Sequence, residues 1–109
     1  VRIRATIRPI VFLGDSLDRL REFPAGARAA AGFQLHRVQL GLDPGDWKPM
    51  SSVGPGVREI RIREDDSAFR VLYVTRFEDA IYVLHAFQKR TERTTKHDLT
   101  LASDRLRSI

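Results

Sequence analysis

The chain has 109 residues, 42% hydrophobic and 30% charged, a composition that suits one compact domain and excludes a disordered chain. It has no cysteine, which removes disulfides, thiolate nucleophiles and thiolate metal sites together, and 19 Lys and Arg against 14 Asp and Glu give a net charge of +5. No stretch reaches the roughly 18 apolar residues of a membrane span, and VRIRATIRPIVFLGDS lacks the apolar core and cleavage site of a signal peptide, so the expectation is a cytoplasmic protein with an anionic partner and no membrane.

Residues 1–8 read as an N-terminal extension or edge segment, because their isolated arginines do not suit a core; a single domain follows over 9–109. Pro9 to Leu13 forms a short apolar run ended by Gly14 and predicts a first strand, with Pro9 confined to its start. Asp15 or Ser16 can cap a helix with Leu17, Leu20 and Phe23 on one face, and Pro24 stops it. A second helix is expected over Ala25 to Leu40, where Ala27, Ala31, Leu35 and Val38 recur near helical spacing. Gly32 weakens it locally, which suggests a close packing contact there.

GLDPGDWKPMSSVGPG then reads as a long loop. In it Trp47 either anchors the loop or stacks on a base, and Lys48 is either solvated or a phosphate contact. The period then changes to two. In VREIRIRE, Ile60 and Ile62 share one face and Glu59, Arg61 and Arg63 the other, as in a half-buried strand. FRVLYVTRF and AIYVLHAFQ make two more strands, separated by a turn at Glu78 and Asp79; both are apolar on both faces and should be central in an antiparallel meander. A closing helix begins near Thr95, which stands in capping-box spacing with Asp98, and Leu99, Ala102, Leu106 and Ile109 form its apolar stripe. The predicted order is β-α-α-β-β-β-α, an α+β domain with its helices on one face.

The chemistry is expected to be that of cations. There is no glycine-rich phosphate loop, no HExxH and no nucleophile elbow, and His36, His85 and His97 fall in three different elements, so neither a metal nor a cofactor is expected. Arg61, Arg70, Lys89 and Arg90 sit on or beside the strands, where guanidinium forks and ammonium groups suit phosphate oxygens. Arg70 is the most informative, because a cation between Phe69 and Val71 must either pair with Glu59 or another acid or face an anion site. Alternation places Tyr73 on the opposite face from Arg70, whereas His85, Phe87 and Lys89 share parity. A histidine in an apolar strand is either a satisfied core residue or part of a site.

PIVFLGDS, GFQLHRVQLGL, DWKPM, GVREIRIR, FRVLYV and YVLHAFQKRTERTT followed by LASDRL together resemble the RelE/HigB-type toxins of bacterial toxin–antitoxin systems, in particular their phage-derived Gp49-like branch, from about Pro9 to Leu106. The resemblance implies a RelE-like microbial RNase fold with a basic cleft on the sheet face away from the N-terminal helices. It implies a metal-independent endoribonuclease that cuts mRNA on the ribosome, through attack of a ribose 2′-hydroxyl on the adjacent phosphate. It also implies a helix-turn-helix antitoxin as partner, with operator DNA bound only through the antitoxin complex. By the same resemblance Arg70 holds the scissile phosphate and Lys89 assists it. Lys48, Arg61 and Arg90 grip the RNA, Tyr73 stacks or packs, and His85 is a candidate for proton transfer. The Asp and His combination that some members carry near the C terminus is not evident, which leaves the general base unassigned. Two other readings compete: a noncatalytic RNA-binding or ribosome-binding module of the same fold, and a protein-interaction module whose charge is solvated surface.

Overall fold

The computed structural model describes residues 6–76 and 80–109. The first five residues of the expected extension and the turn expected at Glu78 and Asp79 lie outside the described residues. The elements are β1 (Ile10–Phe12), α1 (Ser16–Arg21), α2 (Ala25–Gln39), β2 (Trp47–Pro49), β3 (Arg58–Glu64), β4 (Ser67–Arg76), β5 (Ala80–Lys89) and α3 (Lys96–Arg107). They build one five-stranded sheet in the order β1-β5-β4-β3-β2. The pairs β2/β3, β3/β4 and β4/β5 are antiparallel, and β1 is parallel to β5. The two strands apolar on both faces, β4 and β5, have neighbours on both sides.

The predicted order lacks one strand. Trp47–Pro49 lies within the segment read as a loop and adds to the edge of β3. Three residues ending in proline, flanked by Gly and Pro, carry no period of their own, and an edge is where a strand tolerates proline. Gly32 also departs from expectation: a β-carbon there would meet nothing within 4 Å, so no close packing requires it.

α1 and α2 cover one face. Leu20, Phe23, Ala27, Ala31, Leu35 and Val38 pack on Ile60, Ile62, Phe69, Val71, Tyr73, Ile81, Val83 and Ala86. Phe23 and Phe69 meet with ring centroids 4.8 Å apart. The expectation that all helices share this face is corrected by α3. Its Ala102 and Leu106 pack with Leu72, Val74 and Leu84, on the opposite face of β4 and β5, and with Met50, Val53 and Val57 of the segment between β2 and β3. The stripe on α3 fixed that the helix docks; with β4 and β5 apolar on both sides, nothing local chose the side.

Thr95 caps α3 as its spacing predicted, its hydroxyl accepting from the Asp98 backbone N–H. A register shift in the β4/β5 ladder pairs Leu72 with His85 and Tyr73 with Val83, so Leu84 is an extra residue on β5. This bulge leaves both Leu84 and His85 toward α3. It restores the alternation beyond it, so that His85, Phe87 and Lys89 share the α3 face.

Candidate functional site

α3 covers only part of its sheet face. Beyond its N-terminal end the strands present a grid of polar side chains that the register assembles. One row runs from Lys48 through Glu59 and Leu72 to His85, the next from Arg61 through Arg70 to Phe87, and the last from Arg63 through Ala68 to Lys89. Lys48, Arg61, Arg70 and Lys89, drawn from four strands, therefore meet on one face around the buried carboxylate of Glu59. Alternation made the outward side of β3 polar, and it is the pairing of β2, β4 and β5 that turns scattered cations into a cluster.

Arg70 is 8% exposed and Glu59 fully buried. Arg70 Nε lies 3.4 Å from Glu59 Oε1, and Arg70 Nη1 donates to the Phe69 carbonyl at 3.0 Å. The pair is in ion contact without completing a hydrogen bond, and both Arg70 Nε and Glu59 Oε1 lack a hydrogen-bond partner. Lys48 Nζ stands 3.9 Å from Glu59 Oε1, and the Thr94 hydroxyl donates to Oε2 at 3.4 Å. The two alternatives for Arg70 are thus both realised: it pairs with Glu59 and also lines a shallow pocket of about 50 Å³ with Asp46, Arg61 and Arg63. Arg61 is held from the rim by Asp46, 3.9 Å away.

Desolvation pulls the Arg70 pKa down against the Glu59 carboxylate, which raises it. Lys89 is also held below the ordinary lysine value, by desolvation first and by the neighbouring charge of Arg70 second, with Glu59 opposing and Lys48 and Arg61 adding to the effect. Burial is the larger cause in both groups, and the neighbouring cations add to it. A phosphate placed among them relieves their mutual repulsion.

The remaining candidates do not join the cluster. Arg90 is exposed, donates to Gln88 at 2.8 Å and lies with Lys89 on the wall of a separate pocket of about 150 Å³. Tyr73 is 1% exposed in the α1/α2 core, on the opposite face, which corrects its candidacy for stacking in the cleft. Trp47 pairs with Ile60 and so faces away from the cluster too, with the Arg58 guanidinium 4.0 Å over its ring; anchoring, not base stacking, is what the geometry gives it. His85 faces the correct side but is 2% exposed, with Nε2 at 2.8 Å from Asp98 Oδ1 and its ring stacked on Phe87. Asp98 in turn accepts from the Thr95 hydroxyl at 2.7 Å. This places His85 as the anchor of the α3 N-terminus and corrects its candidacy for proton transfer in the cleft.

Burial lowers the His85 pKa from 6.5, while the bond to Asp98 pushes the other way. With the folded value depressed, the unfolded chain takes up the proton first. Stability from this group is therefore complete above about pH 6.5 and falls as pH drops toward the folded-state pKa. Urea denaturation should show lower stability at about pH 5.5 than at about pH 7.5, and His85→Gln should flatten that decline. An unchanged slope in the variant would remove His85 as its source.

Sequence reasoning named Glu59 only as a possible partner of Arg70 and missed its position at the centre of the site. The available signal was one acid among the arginines of REIRIR; its burial depends on Lys48 and Thr94, which lie on other elements. A cavity of about 330 Å³ lies on the other side of Phe87 between α1, β5 and the start of α3; His85, Arg90 and Asp98 line it, and neither Arg70 nor Lys89 does. Among the described residues no three His, Asp or Glu side chains stand together as a metal site, and no helix is long and apolar enough to cross a membrane.

The sequence matches the family described as phage-derived Gp49-like protein over residues 18–107. No curated protein sequence matches it. Among solved structures, an arginine double mutant of the E. coli toxin RelE in the free state superposes with a TM-score of 0.65 at 15% identity, covering 94% of this chain and 98% of that one. At that identity the match establishes the fold, which is the RelE fold expected from the sequence.

Proposed function

This chain belongs to the phage-derived Gp49-like protein family, and from that membership, its RelE fold and its cationic sheet face we propose that it is the toxin of a toxin–antitoxin pair and cuts mRNA on the ribosome. The observation that carries the reading is the convergence of Lys48, Arg61, Arg70 and Lys89 on the sheet face left open beyond α3, with Arg70 nearly buried. Solvated surface charge does not need an arginine fixed by a buried carboxylate. A group that must meet a phosphate at one angle does.

In this reading the RNA backbone lies across the Arg61–Arg70 row. The ribose 2′-oxygen attacks the adjacent phosphorus, the bond from phosphorus to the 5′-oxygen breaks, and a 2′,3′-cyclic phosphate and a 5′-hydroxyl result. The proton leaves the 2′-oxygen to water or a ribosomal group, and another reaches the departing 5′-oxygen. Arg70 and Lys89 stabilise charge building on the phosphoryl oxygens, where fixed cations act most strongly. Lys48 and Arg61 hold the flanking backbone, and Arg90 extends the cationic edge. Glu59, with no exposed surface, cannot reach a substrate hydroxyl and acts as a positioning residue for Arg70 and Lys48. The inhibitor is a helix-turn-helix antitoxin that neutralises the toxin and carries the complex to its operator.

RNA binding without cutting is the second reading, and one feature favours it: Glu59 and His85 are both buried, and the exposed acid of the cleft wall, Asp46, is engaged by Arg61. Induction of the chain in a bacterial host separates the two. Growth arrest with new RNA 5′ ends inside translated frames is the expected result; arrest with intact mRNA would establish binding alone.

A further inference from the structure

A second pocket lies on the opposite face of the sheet, between the end of α2, the segment that follows it and the strands β3 and β4. It holds about 160 Å³, and its polar walls are Arg8, Asp43, Arg58, Tyr73 and Thr75. Two donors in this wall have no acceptor. Tyr73 is 1% exposed; its hydroxyl oxygen faces the Arg58 guanidinium, which can only donate, so the phenolic O–H has no acceptor, and neither has the buried Nε of Arg8. A buried donor without an acceptor costs roughly 1–3 kcal/mol, so two beside one cavity call for an acceptor inside it.

The charges define that acceptor. Arg58 donates to Asp43 at 2.9 Å, so the carboxylate is already engaged, and its guanidinium also packs over Trp47. Arg8 has no such acid among the described ion pairs, which leaves one cation in excess beside the phenol. A singly charged group with two unshared acceptor oxygens matches this wall better than a dianion, which Asp43 would repel.

We propose that this pocket is a second phosphodiester-binding site, in which the Tyr73 hydroxyl and the Arg8 guanidinium donate to the non-bridging oxygens and Arg58 supports them. The sheet separates it from the Arg70 cleft, so it takes a different phosphate from the one cut. The choice of a phosphodiester over another monoanion rests on the RNA reading above.

The test is a titration of the full chain with dimethyl phosphate, followed by NMR at the arginine Nε–H groups and the Thr75 amide, with sodium acetate and sodium chloride at matched ionic strength as controls. Saturable shifts at Arg8, Arg58 and Thr75 with dimethyl phosphate are expected. Arg8→Gln should weaken them about tenfold and Tyr73→Phe about threefold, the losses of a charge-assisted and a neutral donor. The variant Arg70→Ala should retain them, which separates this site from the cleft and from cleavage. Equal shifts with acetate would reassign the pocket to a carboxylate. No saturable shift, or shifts untouched by both Arg8→Gln and Tyr73→Phe, would overturn the proposal.

Discussion

Arg70→Ala should reduce single-turnover cleavage of ribosome-bound mRNA by at least about 100-fold, the loss expected when a preorganised group facing developing charge is removed. Arg70→Lys should recover only part of this. A lysine keeps the charge but lacks the planar fork, through which Arg70 faces Glu59 with Nε and donates to the Phe69 carbonyl from Nη1. The fold should tolerate the change, because Lys48 and Thr94 still contact the Glu59 carboxylate. Circular dichroism and urea denaturation alongside the assay separate loss of chemistry from loss of structure. Cleavage within about threefold of the native rate would remove Arg70 from the mechanism.

Glu59→Ala should have the larger effect on stability, about 3 kcal/mol by urea denaturation, because it leaves Arg70 nearly buried without the carboxylate it contacts. Exposed pairs such as Arg19 with Asp15 or Arg58 with Asp43 should each contribute less than about 1 kcal/mol. The double variant Glu59→Ala with Arg70→Met should be less destabilised than Glu59→Ala alone, since the unpaired cation is gone. A loss below about 0.5 kcal/mol for Glu59→Ala would mean that solvent reaches the pair and that Glu59 does not fix Arg70.

The elements were legible where local chemistry decides them. The alternation of REIRIR made a strand, Pro24 separated α1 from α2, and Thr95 with Asp98 marked the start of α3. What escaped depended on partners distant in sequence. β2 exists because the edge of β3 accepts Trp47–Pro49, and α3 crosses to the second face because Leu72, Val74 and Leu84 wait there. The same holds for the site. Arg70 could be singled out from its apolar neighbours, and its separation from Tyr73 followed from parity. That Glu59 would be buried among Lys48, Arg70 and Thr94, or that His85 would be held by Asp98 thirteen residues on, required the register and the helix docking. Polar residues on an alternating strand read as outward-facing, and that rule fails where several elements converge on one of them.

The most direct measurement is 5′-end mapping of an mRNA translated by purified ribosomes in the presence of the purified chain, native and Arg70→Ala. The native protein should produce new ends within the reading frame, carrying a 5′-hydroxyl opposite a 2′,3′-cyclic phosphate or its hydrolysis product, and Arg70→Ala should produce almost none. An mRNA left intact by the native chain, or the same ends at the same yield with Arg70→Ala, would contradict it.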